Sequence, residues 1–453
     1  MANPLYDTLF GAHAGRDAPF LHLIDGSTVT YAAFLAQTAQ MAHVLTGLGV
    51  QPGDRVAVQV HKSPQALALC AACAQAGLVF LPLNTAYTTD ELTYFIENSG
   101  AALVVCDTAK TGSLGPVAEG LGAKVETLNA DGTGSLTDKA AEQSEQFDTV
   151  ARSADDLAAF LYTSGTTGRS KGAMLTQANL LSNAQTLVNE WQFTADDVLL
   201  HALPIFHTHG LFVATNVTLV AGGSMIFMPG FDLEQVLSQM PRATAMMGVP
   251  TFYTRLLDDA RFTREAAAHM RLFISGSAPL LAETHVQFDC RTGQRILERY
   301  GMTETNMNTS NPYDGERRAG TVGFPLPGVE LKITDPDTGA TLPQGEVGVI
   351  EVRGPNVFKG YWQMPEKTAA ELRDDGFFIT GDLDFGETVV GVLVPQKGQS
   401  PDTDAISEAI KGPLARFKHP RRLVVIDSLP RNTMGKVQKN VLRDAYKDMF
   451  APT

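Results

Sequence analysis

Tyr162-Thr163-Ser164-Gly165-Thr166-Thr167-Gly168-Arg169-Ser170-Lys171-Gly172 concentrates small hydroxyl and glycine residues ahead of a lysine. Such residues let backbone amides curl round phosphate oxygens, while the ammonium adds positive charge. The segment follows the apolar run Leu157–Leu161, read as a strand, and precedes a helix starting near Thr176-Gln177-Ala178-Asn179. It is not a Walker A loop, because GxxxxGK[ST] needs Ser or Thr after the lysine and Gly172 stands there. A lone GTTG could be a flexible turn; eleven residues in this order weigh against that.

Elements able to hold such a loop are visible around it. Apolar, β-rich runs at Arg55–Val60, Val79–Leu83, Ala102–Cys106, Val198–Ala202, Gly223–Phe227, Ala243–Gly248 and Leu272–Ser275 alternate with helical patterns. That alternation predicts βαβ units and parallel sheets covered on both faces. Ala66–Leu83 is long enough to suggest a membrane helix, but it is Ala-rich, carries Gln75 and is broken by Gly77 and Pro82. It reads instead as a buried helix from Ser63-Pro64, a stop at Gly77, and a strand Val79–Leu83. Cys70 and Cys73 form a CxxC inside that helix. With no second pair and no histidine cluster nearby, core packing outweighs metal or redox chemistry.

Beyond about Phe324 the pattern changes. Val329–Thr334 and Gly348–Arg353, with Gly and Pro between them, predict a small, mostly antiparallel β unit. After Asp382 come a strand at Thr388–Pro395, a helix at Asp402–Lys411, a strand at Arg422–Ile426 and a basic helix beyond Gly435. Asp131–Glu145 is polar and reads as a surface excursion. No internal repeat of fixed period is present. The expected fold is α/β: a large N-terminal portion of mixed, mostly parallel sheets flanked by helices plus a small β unit, with a small α+β C-terminal lid.

The 453 residues carry 35 basic and 49 acidic side chains, a net charge of −14, without any Lys/Arg-rich run. A nucleic-acid or anionic-membrane surface is therefore not expected, and anionic ligands must be held by local devices. Four cysteines make no disulfide scaffold and point to a reducing, cytoplasmic setting. Met1–Asp7 lacks a basic stretch leading into an apolar one, so no secretory signal is expected.

Further motifs follow the loop in order. They are Phe206-His207-Thr208-His209-Gly210, Ser275-Gly276-Ser277-Ala278-Pro279, Arg299-Tyr300-Gly301-Met302-Thr303-Glu304, Gly345-Glu346-Val347-Gly348, Phe378-Ile379-Thr380-Gly381-Asp382 and Pro430-Arg431-Asn432-Thr433-Met434-Gly435-Lys436. From about Thr30 to Lys439 the chain resembles the acyl-adenylate-forming superfamily of acyl-CoA synthetases, luciferases and peptide-synthetase adenylation domains.

The resemblance implies ATP, Mg²⁺ and CoA as ligands. Thr163, Ser164, Gly165, Thr166, Thr167, Gly168 and Lys171 would hold phosphates. Tyr300, Gly301 and Met302 would hold the adenine, with Tyr300 stacked on the purine. Thr303 would contact the α-phosphate, and Glu304 would ligate Mg²⁺ with Thr163 or Thr166 nearby, a donor set suited to a hard cation. Asp382 would accept from the ribose hydroxyls. The plainer readings are a helix cap for Glu304 and a turn residue for Asp382. Ser277 and Ala278 would line the adenine and acyl pockets beyond the carboxyl end of a strand. His207 would stand at the acyl-pocket wall; for His209 a satisfied buried histidine is the stronger reading. Lys436 would bridge the substrate carboxylate and the α-phosphate, relieving their repulsion.

Within the superfamily the motif set is most similar to malonate–CoA ligases, with methylmalonate as a second candidate substrate. Gly248-Val249-Pro250-Thr251-Phe252-Tyr253-Thr254-Arg255 runs from a buried strand into a helix. An arginine one turn in suits a second carboxylate held bidentately beside His207 and Ser277. Pairing of Arg255 with Asp258 or Asp259 is the alternative. A short- or medium-chain monocarboxylate–CoA ligase and an adenylation-only module are the competing functions. The resemblance divides the chain at residues 1–382 and 383–453, with the site in the cleft between. About fifty residues usual in the family are missing after 382–385, and intact mass separates a true deletion from a stretch left out of the chain. Oligomeric state and CoA contacts have no signature in the sequence.

Overall fold

The computed structural model describes residues 2–163, 170–336, 338–384, 390–395, 401–410, 420, 422–430 and 439–446. Local chemistry sets its elements. Ser63 Oγ accepts from the Ala66 amide at 3.1 Å and Pro64 fills the first turn of helix Pro64–Gln75. That helix stops where Gly77 takes φ +72°, a left-handed value open to glycine. Thr176 and Asn179 form a reciprocal capping box for helix Gln177–Glu190.

Between these helices lie two large sheets. The first runs Lys124–Thr127, Leu103–Cys106, Arg55–Gln59, Val79–Pro82, Leu157–Thr163, Lys171–Thr176 from edge to edge. All its neighbours are parallel except the last pair. The second has nine strands, in the order Phe324–Pro325, Asn306–Ser310, Leu297–Met302, Leu272–Ser275, Ala245–Gly248, Val198–His201, Ser224–Phe227, Pro19–His22, Thr28–Thr30. Its six inner strands, from Leu297–Met302 to Pro19–His22, are parallel, and antiparallel strands close both edges. The predicted strands are all present; several ends are trimmed by one or two residues, and the strand from Leu157 runs on to Thr163.

Strand Lys171–Thr176 is an addition to the sequence reading. It makes the Gly/Ser segment the connection between two antiparallel strands, with Thr163 opposite Lys171. Asp131–Glu145 also differs from a plain surface excursion, since Ser135–Ala140 is a short helix that buries Leu136 and Ala140. Ser135 and Lys139 both bind the buried Glu126 carboxylate, which ties this stretch to strand Lys124–Thr127. Small polar residues conceal that anchor in the sequence.

The core of the nine-stranded sheet holds an aromatic cluster among aliphatic side chains. Tyr253, Phe262, Phe273 and Phe288 pack with edge-on or tilted rings, centroids 4.9–6.4 Å apart. In the six-stranded sheet Phe160 fills the equivalent role beside Tyr162 and Trp362. Cys70 and Cys73 are free thiols, and burial pushes Cys70 up to about 12 and Cys73 well above the usual value. The CxxC is core packing.

The chain divides into two compact units. The two large sheets belong to the first. In the second, Gly348–Arg353 pairs antiparallel with Phe378–Asp384 in a three-stranded sheet that also includes Glu330–Thr334. Strand Val390–Leu393 pairs parallel with Arg422–Val425, and helices Thr403–Ala409 and Lys439–Tyr446 accompany them. Among the described residues no helix is long and apolar enough to cross a membrane.

Candidate active site

The parallel strands of the nine-stranded sheet deliver one segment after another to their carboxyl ends, where ligands of α/β sheets lie. Val198–His201 leads to the His207 turn, Ala245–Gly248 to the Arg255 helix, Leu272–Ser275 to Ser277, and Leu297–Met302 to Glu304.

Leu297–Met302 and Asn306–Ser310 form a hairpin whose turn holds Thr303 and Glu304. Glu304 therefore sits in a β turn rather than at a helix cap. The pairing slips between Tyr300 and Gly301, a bulge of the kind that re-aims side chains beside active sites. Only glycine fits at 301, since a Cβ there would lie 1.8 Å from the Asn306 carbonyl oxygen. Tyr300 stays half-buried, with its hydroxyl 4.0 Å from the Met302 sulfur.

Glu304 is buried, and its carboxylate accepts a 3.0 Å hydrogen bond from the Tyr361 hydroxyl. Burial raises its pKa, against the opposing pull of backbone and Tyr361 hydrogen bonds and the Lys171 charge. The same Tyr361 oxygen accepts from Lys171 Nζ at 3.0 Å, and that ammonium lies 4.2 Å from the Tyr361 ring centroid. Lys171 also pairs with Glu371 at 3.2 Å, and Glu371 with Lys367 at 2.6 Å. Burial alone would raise the Glu371 carboxyl, but the Lys367 hydrogen bond, the nearby Tyr361 hydroxyl and the charge of Lys171 bring it below the usual range.

Backbone pairing fixes this group. Met174 N donates to Gly360 O, Lys359 N to Met174 O and Trp362 N to Gly172 O, so residues 359–362 run beside the strand that begins at Lys171. Phe358 N donates to Glu304 O, and Asn356 Nδ2 to Thr305 O, which fastens the same segment to the hairpin turn. Thr163 Oγ1 lies 3.5 Å from Lys171 O. The Tyr361 hydroxyl and the Glu371 carboxylate meet the Lys171 ammonium, with Glu304 one hydrogen bond further on, and carboxylate and hydroxyl oxygens are the donors a hard divalent cation takes. Ser164, Gly165, Thr166, Thr167, Gly168 and Lys436 lie outside the described residues.

A second cluster carries the acyl-pocket candidates. His209 is buried, and its Nδ1 lies 3.1 Å from Ser277 Oγ. Ser277 has φ +67°, a left-handed value unusual for a residue with a Cβ, and such strain concentrates at functional sites. Ala278 beside it is exposed. His207 is exposed, and its Nδ1 accepts from the His209 amide at 3.4 Å. Arg255 is exposed on helix Pro250–Leu257, its guanidinium 4.6 Å from the Phe231 ring centroid. Asp259 is taken up by Arg261 instead. Asp382 is exposed in the second unit, its amide donating to Thr380 Oγ1 at 3.1 Å.

Two members of the Lys171 group, Tyr361 and Glu371, escaped the sequence reading, and Arg299 was read only as the first residue of its motif. The Arg299 guanidinium is buried against Gly276, where a Cβ would sit 2.2 Å from its central carbon. Burial brings its pKa down to about 9. For Tyr361 the only local cue was the aromatic pair Tyr361-Trp362 after Gly360.

Fold and site together define a nucleotide-binding α/β enzyme, and the AMP-binding enzyme family pattern matches residues 11–362. The chain belongs to the AMP-binding enzyme family. Among curated relatives, the malonate–CoA ligase of Arabidopsis thaliana is 30% identical, covering 89% of this chain and 79% of that protein. A feruloyl-CoA synthase from an Amycolatopsis species is 31% identical over 93% of this chain and 94% of its own. The crystal structure of ATP-bound MatB from Rhodopseudomonas palustris is 52% identical, covering 99% of this chain and 100% of that one, with a TM-score of 0.93.

Proposed function

We propose that this protein is an AMP-forming acid–thiol ligase that joins malonate to CoA, with methylmalonate as a second candidate substrate. The observation that carries the reading is the full-length likeness to ATP-bound MatB, supported by the malonate–CoA ligase relative. In the first step a malonate carboxylate oxygen attacks the α-phosphorus of ATP, the bond to the bridging oxygen breaks, and pyrophosphate leaves. In the second, the CoA thiol loses its proton and its sulfur attacks the acyl carbon, expelling AMP. Mg²⁺, when bound, would supply the positive charge that offsets the phosphates.

Lys171 holds the phosphates, exchanging its Glu371 partner for phosphate oxygens. Thr163 and Glu304 hold the cation, Thr303 contacts the α-phosphate, and Tyr361 orients the Glu304 carboxylate. Tyr300, Gly301, Met302 and Ala278 receive the adenine, and Asp382 the ribose. Arg255, His207 and Ser277 take the acid, with the arginine on its distal carboxylate. Lys436 brings the two anions together in the first step only. The reaction draws on ATP and CoA, and four reduced thiols suit the cytoplasm.

Acid-dependent pyrophosphate exchange with malonate, methylmalonate, propionate and ferulate tests the reading. Exchange with ferulate or propionate and none with malonate would overturn the substrate assignment. Lys436→Ala separates the steps: acyl-AMP formation should nearly vanish while supplied malonyl-AMP and CoA still give malonyl-CoA. Equal loss in both assays would remove Lys436 from the chemistry.

A further inference from the structure

The turn from His201 to Gly210, which carries His207 and His209, is closed by a lysine from another sheet. Lys62 follows strand Arg55–Gln59 of the six-stranded sheet. Its Nζ lies 2.8 Å from His201 Nδ1, 2.7 Å from His201 O and 2.9 Å from Leu203 O, with the Phe227 ring centroid 4.3 Å away. On the other side of the imidazole, His201 Nε2 lies 2.9 Å from Gly210 O, and Thr215 Oγ1 donates to the same carbonyl at 3.0 Å.

These contacts fix the protons. Gly210 O can only accept, so His201 carries its proton on Nε2. In the neutral imidazole Nδ1 then needs a donor, and the two carbonyls need two more. An ammonium at Lys62 supplies all three, against a burial that lowers the lysine pKa well below its usual value; burial and the Lys62 charge lower that of His201. A second proton on His201 would face that cation across 2.8 Å.

The mechanical consequence is specific. Lys62 grips the start of the turn at two carbonyls, and His201 passes the grip to its end at Gly210. There the chain enters a π-helical turn, His209–Thr215, a form frequent at functional sites. The ends are drawn so close that a Cβ on Gly210 would stand 2.0 Å from the Pro204 carbonyl oxygen. His207 and His209 therefore leave a clamped base, and His209 reaches Ser277 from it.

We infer that Lys62 and His201 are positioning residues for the acid-binding side of the site, setting the 201–210 turn from which His207 and His209 project. The inference rests on the proposed ligase reading. Neither residue touches the phosphate-side group of Lys171, Tyr361 and Glu304, so their loss should act on the acid and spare the nucleotide.

The test uses the full chain and begins with the wild type on malonate, ATP and CoA. If the wild type does not turn over malonate, the substrate assignment fails and the acid it does use replaces malonate below. Lys62→Met should raise KM for the acid about tenfold or more, with KM for ATP within about twofold. His201→Asn, which lacks the reach to Gly210, should do the same, whereas His201→Gln, whose amide can donate to Gly210, should recover most of the acid affinity. Nitrogen-15 NMR of wild-type His201 should show Nδ1 unprotonated and Nε2 protonated, and Lys62→Met should perturb that signature. Folded variants with unchanged KM for the acid, or with both KM values rising together, would overturn the inference. If Lys62→Met does not fold, the His201→Asn and His201→Gln pair decides by the same criteria.

Discussion

The hydroxyl of Tyr361 donates a 3.0 Å hydrogen bond to the carboxylate of Glu304, 57 residues away in sequence. Because the same oxygen accepts from Lys171, one phenol ties the proposed cation ligand to the proposed phosphate ligand. The relationship depends on residues 359–362 running along the strand that begins at Lys171.

Tyr361→Phe removes the side-chain hydroxyl that donates to the Glu304 carboxylate while keeping the ring. Leaving a buried acceptor without its partner costs about 1–3 kcal/mol. We expect kcat/KM for ATP to fall roughly 10- to 100-fold, and the Mg²⁺ concentration for half-maximal rate to rise. KM for the acid should hardly move. Steady-state kinetics with each ligand varied in turn check this, and unchanged ATP and Mg²⁺ dependence would remove Tyr361 from the site.

Arg255→Ala tests how the acid is held. If this guanidinium leaves the Phe231 face to clamp the distal carboxylate, its removal strands a partly buried anion at about 3–5 kcal/mol. The kcat/KM for malonate should then drop by about two to four powers of ten, with propionate falling far less and ATP affinity unchanged. Parallel loss for malonate and propionate would mean that the arginine supports its helix.

Asp197 offers a pH test outside the site. Burial opposes its charge, but hydrogen bonds from Arg271, Thr244 and the Thr194 amide outweigh burial and hold its pKa below the usual aspartate range. A depressed folded-state pKa contributes stability above the unfolded carboxyl value of about 4 and loses it as pH falls through the folded one. Asp197→Asn should cost about 3 kcal/mol at neutral pH and flatten the decline of stability below about pH 4. Urea unfolding from pH 3 to 7 would show it; an acid limb as steep as in the wild type would exclude this carboxylate as a source.

Thiol counting tests the buried CxxC. Cys290 is exposed, Cys73 and Cys106 are buried, and burial pushes Cys70 and Cys106 up to about 12 and 11. A chromogenic disulfide reagent at pH 8 should titrate one thiol rapidly in the native protein and four in denaturant. Two or more fast native thiols would mean that the helix from Pro64 to Gln75 opens readily.

Features that depend on neighbours along the chain were legible before any fold was known. Apolar runs such as Leu272–Ser275 specified strands, the Ser63-Pro64 and Thr176–Asn179 signals specified helix starts, and Gly77 specified a stop, because capping and turn chemistry act over three or four residues. The ordered motifs from Thr163 to Glu304 marked the candidate ligand-binding segments, again from residues close together in the chain. Which segments meet was not legible there. Strand order permutes chain order, so Arg55–Gln59 lies between Val79–Pro82 and Leu103–Cys106, and Lys62 reaches His201 across 139 positions. Tyr361 joins Lys171 across 190. Such contacts are set by how the faces of helices and sheets bury one another, a property of the whole core that no window of the sequence contains.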